Sequence, residues 1–500
     1  MLQVTGAELE SEVFEQILAR ELNAHVNILG KISDSKLHLK RSYLDPAHKR
    51  AALTLQRWMK EACLTTWIDS VGNVRGRVAG ANKGPALLIG SHYDTVIDGG
   101  IYDGALGVLV GIAAVKAAVL ESAVQDDIIS GEALSAMVGE DDIDCDNIYS
   151  RFGNGKVPLL SRPIEVVAFC DEEGVRFQST FLGSKALSGT LTEDVLTGTF
   201  DKDGISILEA ILGDALATSA EDIIRRPGRD EYSGYLEVHL EQGPILELEG
   251  KPLGVVSGIS GQSRYQLSIW GEQGHAGTVP MKLRKDPMPA SATLIHSLET
   301  LCRGVAINMS YLKTLDASII PREDILRLEE DGSLVCTVGS LQTWPGASNV
   351  IPQNVNFTLD IRSLSDSSRN NIVRIIESIM EGECAKRELM CRLKKKHEAS
   401  SVTMDEILTE KLINSVKMAE YGGKKEASTN TCSSIEVVRI ASGAGHDALA
   451  VSSIMPVSML FVRSRNGISH SPDEWVDPKD IRASSITTFY FIRDWEKGPW

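Results

Sequence analysis

The sequence predicts an α/β protein in which a larger mixed-sheet domain is interrupted by a smaller, ferredoxin-like α+β domain. Short apolar runs typical of buried strands alternate with helical patterns over the first half of the chain. From about residue 263 the order becomes β-α-β-β-α-β, which is the ferredoxin-like pattern, and helix and strand alternate again after about residue 400. We therefore expect residues 1–253 and 400–500 to form the larger domain and residues 254–399 to form the inserted one.

Turn residues and apolar runs mark the elements of the larger domain. Pro46 stands in the first turn of a helical pattern, and Gly72-Asn73 is a hairpin turn signal between two strands. The expected elements are a helix at 45–62, a strand pair within 66–78, buried strands at 86–89 and 166–169, a buried helix at 104–119, a strand at 235–239, a helix at 404–421 and a strand at 457–462.

The inserted domain shows strands separated by amphipathic helices. Met288, Ala292, Ile295 and Leu298 recur on one face of its first helix, which predicts packing against a sheet. The expected elements are strands at 263–270, 334–343, 355–362 and 390–393 and helices at 286–301 and 367–385.

The chain is acidic, with 68 Asp and Glu residues against 51 Lys and Arg and a formal net charge of -17 at pH 7. Nucleic-acid binding requires concentrated Lys and Arg, so no nucleic-acid partner is expected. No apolar run looks long enough for a transmembrane helix, so no membrane partner is expected either. An acidic protein that binds an anionic substrate must supply positive charge locally, from metal ions or from a few placed arginines.

Residues 121–157 predict an acidic surface insertion within the larger domain. The stretch 121–147 contains nine acidic residues and no Lys or Arg. Such a composition favours a solvated segment, and its spacing matches no calcium-binding loop.

Cysteine usage and the N-terminus bear on the compartment. The eight cysteines are scattered and none forms a Cys-x-x-Cys pair, so we expect free thiols rather than a disulfide framework or a zinc knuckle. Acidic residues interrupt the apolar positions of the N-terminal segment, which therefore does not have the pattern of a signal peptide.

A histidine and two aspartates follow the first buried strand. His92 and Asp94 come shortly after the run 86–89, and Asp103 stands before a glycine at the start of the next helix. The carboxyl ends of parallel strands open onto a crevice where ligands bind. His92 can bind a metal while Asp94 orients its ring. Taken alone, a polar loop and a helix N-cap explain these residues equally well.

Two adjacent glutamates follow the second buried strand. Glu172 and Glu173 repel each other, and folding tolerates such a pair when a cation or abundant water is near. Because neighbouring side chains point in different directions, one can ligate a metal while the other acts as a general base. His239 and His470 also follow apolar strands, and each alone is more typical of a structural histidine.

Considered together, these residues predict a centre for two divalent cations. The proposed ligands, with Asp103 as the bridge, are His92, Asp103, Glu173, His239 and His470. Mixed imidazole and carboxylate ligands suit Zn, Mn, Co or Ni rather than Ca. Two such ions can activate a water at neutral pH and polarise a carbonyl.

Six motifs of this chain together resemble the M20 metallopeptidase and aminoacylase family. They are GSHYD at 90–94, YDG at 102–104, DEEG at 171–174, HLEQG at 239–243, GHAGT at 274–278 and GAGHD at 443–447. The resemblance runs from about residue 10 to 490, apart from the acidic insertion. It is closest to the amidohydrolase branch, which has a histidine at the position of His239 where the peptidases place a carboxylate.

The resemblance implies further roles. Glu172 would be the general base, and His275 would stabilise the oxyanion from the inserted lid domain, often that of the partner subunit. Arg362 can fork onto a substrate carboxylate, which would answer the need for local positive charge. The residues implied to contact the substrate are Gln262, Asn349, Arg362 and His446.

The amidohydrolase branch acts on ureido acids, and the chain is most similar to plant-type members that hydrolyse allantoate to ureidoglycine, ammonia and carbon dioxide. Because the core motifs are shared, hydrolysis of ureidoglycolate, or an N-carbamoyl-L-amino-acid hydrolase or β-alanine synthase-like activity, stays open. A third alternative is a silent dimeric homologue that acts as a binding module, although every ligand position and Glu172 are filled.

The resemblance also implies cofactors, assembly and location. It implies two divalent ions per chain, Mn²⁺ by similarity to plant relatives, with Zn, Co or Ni left open by the ligands themselves. It implies a homodimer formed through the lid domain. It places the protein in the endoplasmic reticulum; the residues alone, which show no signal peptide, favour a soluble cytoplasmic protein.

Overall fold

The computed structural model describes residues 12–126, 128, 130, 160–224, 228, 231–303, 332–420 and 436–497. The strands are β1 (Thr65–Ile68), β2 (Val74–Val78), β3 (Ala86–His92), β4 (Ile164–Phe169), β5 (Tyr232–Leu240), β6 (Leu253–Ile259), β7 (Gly261–Trp270), β8 (Gly274–His275), β9 (Val335–Thr337), β10 (Leu341–Trp344), β11 (Val350–Ile351), β12 (Asn354–Ser363), β13 (Met390–Ala399), β14 (Val402–Thr403), β15 (Val438–Ser442) and β16 (Val457–Val462).

A π-helical segment, Gln16–Glu21, leads directly into the first α-helix. The α-helices are α1 (Leu22–Gly30), α2 (Pro46–Glu61), α3 (Ala105–Gln125), α4 (Leu182–Ser188), α5 (Glu193–Gly198), α6 (Ile207–Gly213), α7 (Ala220–Ile223), α8 (Ile245–Leu248), α9 (Pro287–Cys302), α10 (Asp366–Lys386), α11 (Glu406–Glu420), α12 (Asp447–Val451) and α13 (Pro478–Lys497).

The chain divides into two compact units. Unit 1 consists of residues 1–257, 404–440 and 446–500, and unit 2 consists of residues 258–403 and 441–445. The sequence suggests boundaries at 253 and 399 and gives no sign of the brief return to unit 2 at 441–445. That return begins within β15, which spans Val438–Ser442.

Unit 1 is built on a mixed sheet with the strand order β1-β2-β4-β3-β5-β16-β6. The four strands β4, β3, β5 and β16 run parallel, and β2 and β6 pair with them antiparallel at the two sides. The parallel strands are buried on both faces, which explains why they occur as continuous apolar runs. The sheet confirms the predicted α/β class and places four carboxyl ends at one edge.

Helix α3 is the central helix of unit 1. It is buried along nearly its whole length, and Lys116 within it is buried in an ion pair with Glu21. By length and composition it is long and apolar enough to cross a membrane, which corrects the expectation that no such run exists. However, 83% of its most apolar 18-residue stretch is buried inside the protein, as expected for a core helix.

The predicted acidic insertion begins inside this helix. Residues 121–125 are the last residues of α3, because its apolar pattern continues to Ala123. The remainder of the predicted insertion, apart from residues 126, 128 and 130, lies outside the described residues.

Unit 2 contains an antiparallel sheet of order β10-β12-β7-β13, with α9 and α10 packed on one face. Along the sequence, the elements of unit 2 follow the β-α-β-β-α-β order of a ferredoxin-like fold, as predicted. The single strand predicted at 334–343 is two short strands, β9 and β10, which both pair with β12. Residues 338–340 separate them, and Ser340 hydrogen-bonds Thr358 of β12 through its backbone.

The cysteines are not the free thiols expected from the sequence. Cys302 at the end of α9 is bonded to Cys336 of β9, and Cys384 in α10 is bonded to Cys391 of β13. The spacings of 34 and 7 residues match no local motif, since each pair is brought together by a helix end that packs beside a strand. Among the described cysteines, Cys170 is free and buried.

Candidate metal centre and substrate residues

Two histidines from neighbouring parallel strands meet at the carboxyl edge of the unit 1 sheet. His92 ends β3 and His239 lies near the end of β5, and both are buried. Their Nδ1 atoms lie 3.3 Å and 3.1 Å from the backbone oxygens of Asp94 and Leu240. An Nδ1–H that donates to a carbonyl leaves the lone pair on Nε2. The two Nε2 atoms lie 3.3 Å apart, so when both rings are neutral their lone pairs can face one shared cation position.

Asp103 stands between these histidines and a third one. Its Oδ1 lies 3.2 Å from Nε2 of His239 and 3.9 Å from Nε2 of His92. Its Oδ2 lies 3.2 Å from Nε2 of His470, which is 3.4 Å from Oε1 of Glu173. Each oxygen of Asp103 therefore faces a different group of ligand atoms, as a bridging carboxylate requires.

The five predicted ligands thus come together as two groups that share Asp103. One group is His92, Asp103 and His239, and the other is Asp103, Glu173 and His470. Within each group the ligand atoms lie within 4.8 Å of one another. Glu172 is adjacent, with its Oε2 3.9 Å from Nε2 of His92.

Backbone conformation permits this arrangement at two points. Gly104 has φ +62°, and a Cβ there would lie 2.4 Å from ring atoms of His92. His470 has φ 55°, the left-handed region that a non-glycine residue keeps only when its surroundings fix it. Neither constraint is visible in a pattern of apolar residues.

Asp94 supports the site through the backbone. Its Oδ1 accepts the N–H of Glu172 at 2.9 Å and its Oδ2 accepts the N–H of Glu173 at 3.1 Å. Its Oδ1 also lies 3.5 Å from Nδ1 of His92, the contact expected from the sequence. One buried carboxylate therefore contacts His92 and holds the backbone of both adjacent glutamates.

The side chains of the site have shifted pKa values because the site is buried and rich in carboxylates. Burial, followed by repulsion from Asp103, raises the pKa of Glu173 to about 7. Burial also raises the pKa of Glu172 well above its usual value. Burial opposes protonation of His92, but Glu172 and the neighbouring aspartates outweigh it and raise its pKa. The protons bound by these groups offset part of the negative charge of the site, and a divalent cation would offset more of it.

The other histidines differ in charge. The hydrogen bond to Asp103 raises the pKa of His470 to about 9. Burial lowers the pKa of His239 to about 4, so its imidazole is neutral and offers a lone pair. His446, which precedes α12, is buried with its ring centroid 4.4 Å from that of His239.

The donor set fits the two divalent ions that the sequence implies. Three imidazoles and two carboxylates match the ligand preferences of Zn, Mn, Co and Ni. The pKa of Glu173, raised by burial and by repulsion from Asp103, indicates that this site favours added positive charge. The residues present therefore fit such a pair of ions.

The remaining candidates lie in unit 2, where they form two pairs. His275 is exposed and pairs with Val350, and the backbone oxygen of Asn349 accepts the N–H of Ala276. Gln262 of β7 lies opposite Arg362 of β12 in the strand register.

Arg362 already has partners within unit 2. Its guanidinium forks onto the carboxylate of Asp360 with two bonds of 3.0 Å and donates to the backbone oxygen of Gly443. It lines a cavity of about 570 Å³ together with Arg264 and Lys396. With three cationic side chains against Asp360, this cavity has the charge balance that suits an anion.

Several residues at the unit 1 site were not singled out from the sequence. The amide of Gln242 donates to both oxygens of Asp103, at 3.3 Å and 3.2 Å, and to Ser469. The buried carboxylate of Glu237 accepts from Ser91 and from the N–H of Ala448. Gln242 stands in the same motif as His239, so that motif contained a signal for it.

Comparisons with known proteins agree with this geometry. Residues 155–493 match the model of peptidase family M20/M25/M40. The chain is 41% identical to allantoate deiminase 2 of Glycine max over 495 residues, which cover 99% of this chain and 93% of that relative. It is 34% identical to an N-carbamoyl-L-amino-acid amidohydrolase of a Pseudomonas species, covering 93% and 95% of the two chains. The crystal structure of a hydantoinase/carbamoylase-family amidase from Burkholderia multivorans matches 96% of this chain and 98% of its own, with a TM-score of 0.74 and 26% identity.

Proposed function

Because this chain belongs to peptidase family M20/M25/M40, we propose that it is a metal-dependent hydrolase that cleaves a ureido C–N bond of allantoate. The observation that carries the proposal is the pair of ligand groups that share Asp103. The substrate follows from the 41% identity to allantoate deiminases over nearly the whole chain. The reaction would release nitrogen during the degradation of allantoin-derived ureides.

The proposed reaction consumes one water for each C–N bond cleaved. The water oxygen bonds to the ureido carbonyl carbon, and the bond from that carbon to the substituted nitrogen breaks. The nitrogen takes up a proton and leaves as the amine of ureidoglycine. The carbamate that remains gives carbon dioxide and ammonia.

Two divalent ions, Mn²⁺ by similarity to plant relatives, would be held by the two groups that share Asp103. When bound, they supply a water that is acidic at neutral pH and polarise the carbonyl. Glu172 would accept a proton from the attacking water and deliver it to the leaving nitrogen. Asp94 supports this step, since its bonds to the N–H groups of Glu172 and Glu173 keep base and ligand in fixed directions.

The residues of unit 2 would bind the substrate. Arg362 and Gln262 lie opposite each other on adjacent strands, and His275 lies beside Asn349. A substrate carboxylate would compete with Asp360 for the fork of Arg362. His275 would stabilise the oxyanion, and His446 would also contact the substrate.

The test is ammonia release by purified, Mn²⁺-loaded protein. We expect allantoate to be hydrolysed with the highest kcat/KM when it is compared with ureidoglycolate and N-carbamoyl-L-amino acids. Activity on N-carbamoyl amino acids is the second candidate, because one such enzyme is 34% identical over 93% of this chain. A higher kcat/KM for any of these competitors overturns the choice of allantoate.

The non-enzymatic alternative is tested separately by metal content. Protein dialysed against Mn²⁺ should retain two ions per chain. A chain that retains none and hydrolyses none of the three substrates would be the silent binding module.

We also propose a homodimer that forms through unit 2. Strand β13 is at the edge of its sheet and pairs only with β7 among the described strands. Light scattering should give twice the chain mass of 54.3 kDa. A monomer in solution contradicts this assembly.

An oxidising compartment is the proposed location, and the endoplasmic reticulum is its best match. The two disulfides of unit 2 support it, since such bonds form and persist where thiols are not kept reduced. An antibody against the native protein should label the compartment that contains a lumenal marker. Labelling of the cytosol, with all four cysteines reduced, contradicts it.

A further inference from the structure

Glu474 touches both loops that carry ligands of the metal centre. It lies four residues after His470 and is 5% exposed. Its Oε1 accepts the N–H groups of Tyr102 and Asp103, each at 3.1 Å. Its Oε2 accepts the hydroxyl of Ser469 at 3.2 Å. We propose that Glu474 is a positioning residue that fastens the loop of Asp103 to the loop of His470.

The first loop precedes helix α3 and needs an outside partner for its backbone. The N–H groups of Tyr102 and Asp103 stand before the first helical residue, so no helical carbonyl accepts them. A carboxylate at this end of a helix is also favoured by the helix dipole. The approach is close, because a Cβ on Gly100 would lie 2.2 Å from Oε1 of Glu474.

The second loop holds a ligand in an unfavourable conformation. His470 has φ 55°, which must be maintained by the contacts on each side of it. Ser469 binds Glu474 on one side, and the N–H of Glu474 donates to the backbone oxygen of Ser471 at 3.1 Å on the other. The hydroxyl oxygen of Ser469 also lies 3.1 Å from Oδ2 of Asp103, so its one proton can be donated to the carboxylate of either loop.

Glu474 acts through these ligands rather than as one of them. It belongs to none of the groups of ligand atoms found among the described residues. Both of its oxygens instead face N–H and O–H donors. Its loss should therefore leave all five ligands in the chain but separate Asp103 from His470.

The inference rests on the proposed metal centre and is tested by Mn²⁺ titration of metal-free protein, with bound metal counted by mass spectrometry. Glu474→Ala should weaken the site that contains His470 by about 10- to 100-fold, the usual cost of losing a partner behind the ligands. Glu474→Gln keeps an oxygen that accepts the two N–H groups, so the Mn²⁺ affinity of this site should fall by less than about tenfold. Asp473→Ala, at the exposed neighbouring position, should bind like the wild type.

The outcomes separate this inference from the proposed function. A wild-type protein that binds no Mn²⁺ defeats the proposed function itself. Two ions in the wild type and unchanged affinity in Glu474→Ala overturn only the role of Glu474. Equal losses in the Ala and Gln variants also overturn it, since charge rather than the hydrogen bonds would then matter. If the Ala variant does not fold, Glu474→Asp replaces it; this variant keeps the charge but not the reach, and wild-type affinity in it overturns the proposal.

Discussion

A single buried carboxylate determines how the adjacent glutamates of the site are directed. Asp94 is 1% exposed and accepts one backbone N–H on each oxygen, from Glu172 and Glu173. Charge-assisted bonds of this kind are stronger than neutral ones. These bonds oppose rotation of the backbone after β4, which would exchange the positions of the two carboxylates, as the different roles proposed for them require.

Glu172→Gln tests the role of the base. The amide cannot accept a proton from water, so kcat should fall by about 10²- to 10⁴-fold while the ligand set stays intact. The measurement is ammonia release from allantoate together with the number of Mn²⁺ ions bound. Glu193→Gln, at an exposed position in α5, is the matched control. Near-normal turnover in Glu172→Gln would remove the assignment.

His48, which is not one of the proposed metal ligands, makes the stability of the fold depend on pH. It is 1% exposed and stacks on Tyr93 with ring centroids 4.3 Å apart. Burial lowers its pKa from 6.5 to about 3. The unfolded chain therefore binds a proton below pH 6.5 that the folded chain refuses. The stability that this group contributes is complete above pH 6.5 and is lost as the pH falls towards 3.

The expected result is that His48→Gln removes about 2 kcal/mol of the loss in unfolding free energy between pH 7 and pH 5. Chemical denaturation of metal-free protein at both pH values measures it, because metal release then does not contribute. A variant at position 48 with the full wild-type pH dependence shows that another group titrates.

The start of α3 is the element that most directly shapes the site. Gly104→Ala places a Cβ at φ +62° and 2.4 Å from the ring of His92. We expect at least about tenfold weaker Mn²⁺ binding, since the ring must move away from the shared position. Gly111→Ala, seven residues further along the helix, places its Cβ 3.2 Å from Ile89 and gains helix propensity. The Gly111 variant should bind metal normally, and equal binding in both variants contradicts the steric argument.

Elements with strong local patterns were predictable from the sequence. The strand expected at 457–462 is β16 at the same residues, and the helix expected at 367–385 is α10 with one more residue at each end. Interrupted elements were less predictable. The break between β9 and β10 depends on pairing with β12, which periodicity does not encode. The extent of α3 was underestimated because Glu121 and Ser122 look like the start of a polar segment.

The convergence of the candidate side chains was predictable from the sequence, but the residues that support them were not. Polar residues at the ends of apolar runs pointed to His92 and His239, because a parallel sheet brings such ends together. Glu474 and Gln242 escaped notice, since their partners lie hundreds of residues away or depend on a left-handed backbone. The pairing of Cys302 with Cys336 was missed because it depends on how the end of α9 packs beside β9, which no local motif encodes.

Across the whole molecule, the five proposed ligands all lie in unit 1. Metal binding should therefore stabilise that unit selectively. At free Mn²⁺ near 1,000 times the dissociation constant, the gain in unfolding free energy is about 4 kcal/mol per site. Differential scanning calorimetry with and without EDTA should show the unit 1 transition at lower temperature in EDTA. An equal shift of a separate unit 2 transition would contradict a centre confined to unit 1.

The assembly proposed for the chain makes a last prediction about its two halves. If His275 serves the site of the partner subunit, a dimer of one His275→Ala chain and one Glu172→Gln chain contains one site with both lesions and one with neither. Mixing the two inactive homodimers and allowing subunits to exchange should then restore about a quarter of the wild-type activity, because half of the dimers are mixed and each has one intact site. If His275 serves its own chain, every site keeps one lesion and activity stays at the level of the parents. Native mass spectrometry of the same mixture confirms that exchange has occurred, so inactive mixed dimers would refute action across the dimer.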